Sequence, residues 1–245
     1  MCWNWQVSLI TFIIVTTISY KLYKRNLKYD RFLAIFILSY GTMQLVEFFI
    51  WIAITNNIPI LNKIASLIGS IVLFSHPLAI VVGLYFDKSN KDNKLISKSN
   101  FRNLILICLT IILFNLYQII TTKKHKFLTY VHDTVKHLVW DFPHSNYMTL
   151  VLTSAALIVY ILIYFNSKPT FYMIIIYYFV GIVISSKFFV ENIFSFKYGL
   201  AGKYFGSYWC WVVAFFSIIL YFINKKINNK INNKKDKLSV NNITI

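Results

Sequence analysis

Acidic side chains are scarce in this chain, with eight Asp and Glu against 25 Lys and Arg and a formal net charge of +17. Charge of either sign amounts to only 13% of the 245 residues, while 58% are hydrophobic. That balance argues against a soluble domain, which carries about a quarter charged residues, and points to a chain whose solvent is mostly lipid. Cysteine is limited to Cys2, Cys108 and Cys210, with no C-x-x-C pair, so no disulfide framework follows. No glycine-rich phosphate loop occurs anywhere. A basic start and small-residue cleavage site are also missing, and the first basic cluster comes after the first apolar run. Met1 to Tyr20 is therefore expected to be a retained span and not a secretory leader.

What is there is a series of apolar runs. About 20 residues cross the hydrocarbon core as a helix, and seven segments reach or approach that length, near 3–20, 32–54, 64–86, 103–121, 147–165, 171–190 and 205–223. The expected fold is all-α: a polytopic integral membrane protein with seven transmembrane helices over residues 1–223 and a basic, disordered tail over 224–245. Pro77 falls inside the third run and is expected to kink it. Counted between runs, Lys and Arg divide 17 to 8 between the two sides. The positive-inside rule then places the N-terminus outside and the C-terminus in the cytoplasm. Because the basic residues are spread among loops and tail, they read as topology signals and anionic-headgroup contacts, not as a nucleic-acid patch. The bias of 22 Lys to 3 Arg, with abundant Asn and Ile, is what an AT-rich genome produces.

Against this apolar background Glu47 stands out as the one acid well inside a run. Tyr40, Gln44, Glu47 and Trp51 share a face at helical spacing, so a polar stripe can turn inward while the other faces meet lipid. A carboxylate at that depth costs a few kcal/mol or more, and such residues are paired, protonated or set in a wet cavity. At 1.5 Å per residue Glu47 lies about 6 Å outward of its helix centre. On the same reckoning Asn115, Gln118 and Lys187 fall in the outer half, and His76 near the midplane. Together they outline an exoplasmic pocket with the 122–146 loop as its cover. That loop holds four of the five histidines. Leu128, Val131, Val135, Leu138 and Val139 recur in it at helical spacing, which predicts an interfacial amphipathic helix. His137 and Asp141 are four apart and suit a divalent metal or proton transfer. Cys2 and Cys210, expected at similar depth, permit a disulfide or a shared zinc site with His137 and Asp141.

Met1-Cys2-Trp3, Gln44-Leu45-Val46-Glu47-Phe48-Phe49-Ile50-Trp51, His137-Leu138-Val139-Trp140 and Tyr208-Trp209-Cys210-Trp211 together resemble a family of seven-span membrane proteins found in bacteria and large DNA viruses. The resemblance implies the seven spans and draws Cys2, Glu47, His137 and Cys210 together. It implies no activity. Bacterial members carry Gly after the motif Glu where this chain has Phe48, so their pocket shape does not transfer.

Three functions are compatible with these patterns. The leading expectation is an outward-facing pocket binding or transporting a cation, proton or small polar ligand at Glu47. An intramembrane metal-dependent hydrolase acting on lipid would use Glu47 and His137 as catalytic groups, with zinc on the Cys2, His137, Asp141 and Cys210 set. A structural, lipid-organising protein would use the same polar residues only to hold helices together.

Overall fold

Asn4 opens the first helix, α1 (Trp5–Arg25), by accepting the Val7 N–H at 2.9 Å, one of the amides a helix start leaves without an internal partner. Asn26 closes it in the left-handed conformation at φ 52°, which Asn tolerates better than most residues. Two further helices follow after short turns, α2 (Asp30–Thr55) and α3 (Pro59–Phe86). Pro59 stands in the first turn of α3, where its missing N–H has no intrahelical role. Next come α4 (Lys98–Thr121), a two-stranded antiparallel hairpin of β1 (Tyr130–Val131) and β2 (Leu138–Val139), and α5 over residues 214–230. This is a computed structural model, and it describes residues 4–88, 97–121, 128–131, 138–139 and 214–230. The expected spans near 147–165 and 171–190 lie outside the described residues, as do Cys2, Lys187 and Cys210.

Helices α1, α2, α3 and the 98–117 part of α4 are long and apolar enough to cross a membrane. Each runs past its apolar stretch: α1 continues five residues beyond Tyr20, and α3 starts five before Ile64. A helix satisfies its own backbone in headgroups as well as in hydrocarbon, so the apolar limit is not the helical limit.

Large apolar side chains are exposed along the helices, and on α1 the small polar ones are buried. On α1 the buried face is Ser8, Thr11, Val15, Ser19 and Leu22, whereas Ile10, Ile13 and Ile14 are exposed. On α4 the exposed set includes Leu113, Phe114 and Ile120. Small residues bring the helices close, as they do where lipid is the solvent and packing replaces the hydrophobic effect between helices. Gly41 is the tightest such point: a methyl group there would overlap Val15 of α1. Ser19 adds a hydrogen bond across the same interface, from its Oγ to the Ala34 carbonyl at 2.7 Å.

Two expectations are corrected. Helical spacing over 122–146 predicts an amphipathic helix, but Tyr130 pairs with Val139 and Val131 with Leu138 as strands. Leu138 is buried against Val46, Ile50, Trp51 and Ala65, and the half-buried Val131 packs on the same cluster, so the hairpin is seated on α2 and α3. The tail expected to be disordered from 224 is helical through 230, because Asn224 and Asn228 are buried and bonded to the first helical turn-around.

Candidate functional site

All three acids among the described residues, Asp30, Glu47 and Asp87, are 1% exposed or less. They form two polar centres at opposite ends of the helices.

Glu47 belongs to the end where α2 finishes and α3 begins. With Tyr40, Gln44 and Trp51 it lies on the buried face of α2, Gln44 being 2% exposed. The stripe thus faces protein, as its spacing predicts. Helical rise puts Glu47 about 12 Å below the Thr55 end, and Ser66 of α3 and Asn115 of α4 at about 10 and 9 Å from their own ends. Asn115 is buried: its Nδ2 donates to the Ile111 carbonyl at 2.7 Å, and its Oδ1 has no partner among the described residues. The indole N–H of Trp51 is likewise buried without a described partner. Four residues after Glu47, Trp51 leans back toward the preceding turn, as helical side chains do.

The hairpin is clamped onto this end. Asn62 Nδ2 donates to the Thr129 carbonyl at 2.7 Å, and Asn62 Oδ1 accepts the Thr129 N–H at 3.1 Å, so one side-chain amide serves Thr129 as a neighbouring strand would. Ser66 Oγ donates to Asn62 Oδ1 at 3.1 Å and lies 2.7 Å from Thr129 Oγ1. A hydroxyl has one proton, so Ser66 donating to Asn62 makes Thr129 the donor to Ser66. The result is a closed polar chain that ties the loop to α3. Asn62, Ser66 and Ser70 recur every four residues, a signal legible in the sequence and absent from the residues singled out there.

His76 stands apart from Glu47. Its ring stacks on Tyr40 at 4.0 Å, and Nε2 is 3.2 Å from the Ser39 carbonyl. Ser39 is eight residues from Glu47, about 12 Å along the axis. The side chain of Gln118 and the whole of Lys187, His137, Asp141, Cys2 and Cys210 lie outside the described residues. Among the described residues no three His, Cys, Asp or Glu side chains gather to hold a metal.

The second centre was not singled out from the sequence at all. Arg25 meets Asp30 through two bonds, Nε to Oδ2 at 2.8 Å and Nη2 to Oδ1 at 2.7 Å. Asp30 also accepts the Leu27 N–H at 2.8 Å and Asn224 Nδ2 at 2.6 Å. Arg25 in turn donates to the Tyr221 carbonyl at 3.3 Å and lies over its ring. Nearby, Asp87 at the end of α3 accepts the N–H groups of Tyr29 and Phe32, both at 3.1 Å. It thereby caps α2, whose own N-cap residue, Tyr29, offers no capping side chain. Asp30 and Asp87 are thus committed to binding α1, α2, α3 and α5 to one another. Glu47 is the acid deepest in a helix, and its neighbours in the chain, Val46 and Ile50, pack with the hairpin.

No protein-family model, curated protein or solved structure matches the chain.

Proposed function

We propose that the protein binds or transports a cation, proton or small polar ligand in a pocket at Glu47 under the 122–146 loop, within a bundle of seven membrane-spanning helices. In this reading the remaining three spans lie near 147–165, 171–190 and 205–223, in keeping with the seven-span family that the motifs resemble. The N-terminus is outside and the Arg25 end is cytoplasmic. The charge distribution supports that orientation, since every basic residue in the described part except Lys63 falls at the Arg25 end.

The observation that carries the reading is the burial of the Glu47 carboxylate, 1% exposed, on the inward face of a helix long enough to span a membrane. A carboxylate there is held by functional chemistry more readily than by packing, because a Leu or Met would fill the space without the penalty of removing a charge from water. Gln44 one turn below adds an amide able to donate and accept, and the Trp51 N–H above adds a donor. A hydrogen-bonded hairpin over the mouth limits access from that side.

Thermal unfolding of the purified protein, measured across sodium, potassium, magnesium and zinc salts and across a pH series, tests this reading. A ligand present at a hundred times its Kd adds about 2.7 kcal/mol, or roughly 5–10 °C for a chain of this size. Glu47→Gln is expected to abolish that shift while leaving the unliganded protein folded. A shift of equal size in Glu47→Gln would remove the proposal. Wild-type protein that responds to none of these conditions, with Glu47→Gln merely less stable, would instead make Glu47 a helix-binding residue.

A further inference from the structure

Between α1 and α2, away from Glu47, lies a trough of about 370 Å³, within the size range of small-ligand sites. One wall is Thr16, Ser19, Tyr20 and Tyr23 of α1, at i, i+3, i+4 and i+7. The other is Ala34, Ile35 and Leu38 of α2, and Arg31 begins the same stripe one turn earlier. Two small residues, Ser19 and Ala34, make the floor, tied together by their hydrogen bond. The large side chains stand up on either side of them.

Two cations stand beside this trough, each over the ring of a tyrosine in its wall. Arg31 lies over the Tyr23 ring, 5.4 Å from its centroid, and Lys24 Nζ lies 5.7 Å from the centroid of Tyr20. Arg31 Nε is buried and has no hydrogen-bond partner among the described residues. Arg31 as a whole is half-buried, and a cation beside an apolar trough suits an anion that arrives with a hydrocarbon chain attached. From Tyr23 down to Thr16 is seven residues, about 10 Å, roughly two thirds of the hydrocarbon depth of one leaflet.

We infer that this trough is a binding site for one anionic glycerophospholipid of the surrounding bilayer, its phosphate on Arg31 and Lys24 and one acyl chain laid between α1 and α2. Guanidinium matches phosphate geometry with paired donors, and aromatic stacking orients it in advance. The tyrosines at this depth sit where amphipathic rings are favoured, at the headgroup level. A chain lying between Tyr20 and Leu38 covers a groove that ordinary lipid, without a charge to anchor it, would fill only transiently. The site is independent of Glu47 and of whatever occupies the pocket there.

Protein reconstituted in nanodiscs of mixed phosphatidylglycerol and phosphatidylcholine, then released for native mass spectrometry, gives the test. Wild-type protein is expected to retain one phosphatidylglycerol with about tenfold enrichment over phosphatidylcholine. Arg31→Gln is expected to remove most of that enrichment, and Lys63→Gln, at the other end of the helices, to leave it intact. Leu38→Trp fills the trough from an exposed, lipid-facing position and is expected to expel the lipid with Arg31 still present. This second variant keeps the question answerable should Arg31→Gln fail to fold. Equal retention of the two lipids by wild type, unchanged enrichment in Arg31→Gln, or unchanged retention in Leu38→Trp would each overturn the assignment.

Discussion

A single carboxylate can serve two quite different ends in a membrane protein, and Asp30 and Glu47 illustrate both. Asp30 is wholly buried, but four donors converge on it: two from Arg25, the Leu27 amide and the Asn224 amide. Its charge is matched and its lone pairs are occupied, so its role is to hold. Taking away one partner of such a buried pair leaves the other uncompensated, at a cost of about 3–5 kcal/mol. Asp30→Ala is therefore expected to lower the unfolding temperature by roughly 10 °C and to release α5, exposing the 214–230 segment to protease. An unaltered melting temperature would show that the pair contributes nothing net. Glu47 lies in the middle of α2, on the same buried face as Gln44 and Trp51, and that depth is why the ligand proposal rests on it. The sequence already sets Glu47 apart, because no other acid interrupts an apolar run. It does not set Asp30 apart, since an Asp beside Lys28 and Arg31 reads as an ordinary loop residue until Arg25 and Asn224 are seen around it.

At the scale of elements, the first four apolar runs were legible as helices and the 122–146 connection was not. Expected spans near 32–54 and 64–86 fall within α2 and α3, because apolar runs of that length have one low-energy backbone in lipid. The 122–146 loop misled: Leu128, Val131, Val135 and Leu138 fit a helical period, yet two strands form there. Short apolar alternations are ambiguous between the two periods, and here the decision came from outside the segment, when Asn62 offered Thr129 the donor and acceptor of a strand partner. Removing that offer should undo the clamp. Asn62→Ala is expected to weaken hairpin docking by about 2 kcal/mol, since two buried backbone groups of Thr129 lose their partners. Hydrogen exchange at the Thr129 amide should rise roughly 30-fold while exchange in α1 and α2 stays as it was. Exchange unchanged at Thr129 would mean that the hairpin is held by Val131 and Leu138 alone.

For the molecule as a whole, the proposed orientation assigns the Arg25 end to the cytoplasm and the Thr55 end to the outside. Cysteine introduced at Lys63 in a Cys2→Ser, Cys108→Ala, Cys210→Ser background is expected to react with an impermeant maleimide added to intact cells. Cysteine at Lys21 in the same background is expected to react only after the membrane is broken. The reverse pattern would put the Glu47 pocket on the cytosolic side and make the 122–146 loop an inward cover.

The amino-acid sequence by itself determined where four helices long and apolar enough to cross a membrane run, and that Tyr40, Gln44, Glu47 and Trp51 share one face of α2. These are local properties, set by hydropathy over about twenty residues and by a period of 3.6. Tertiary structure alone decided which polar groups meet: Asp30 with Asn224, 194 positions away, Asp87 with Tyr29, 58 away, and Thr129 with Asn62, 67 away. It also decided that α5 continues to 230 and that the loop at Thr129 forms strands. A buried donor or acceptor must be satisfied by whatever the fold brings within about 3 Å, and no spacing along the chain encodes that encounter.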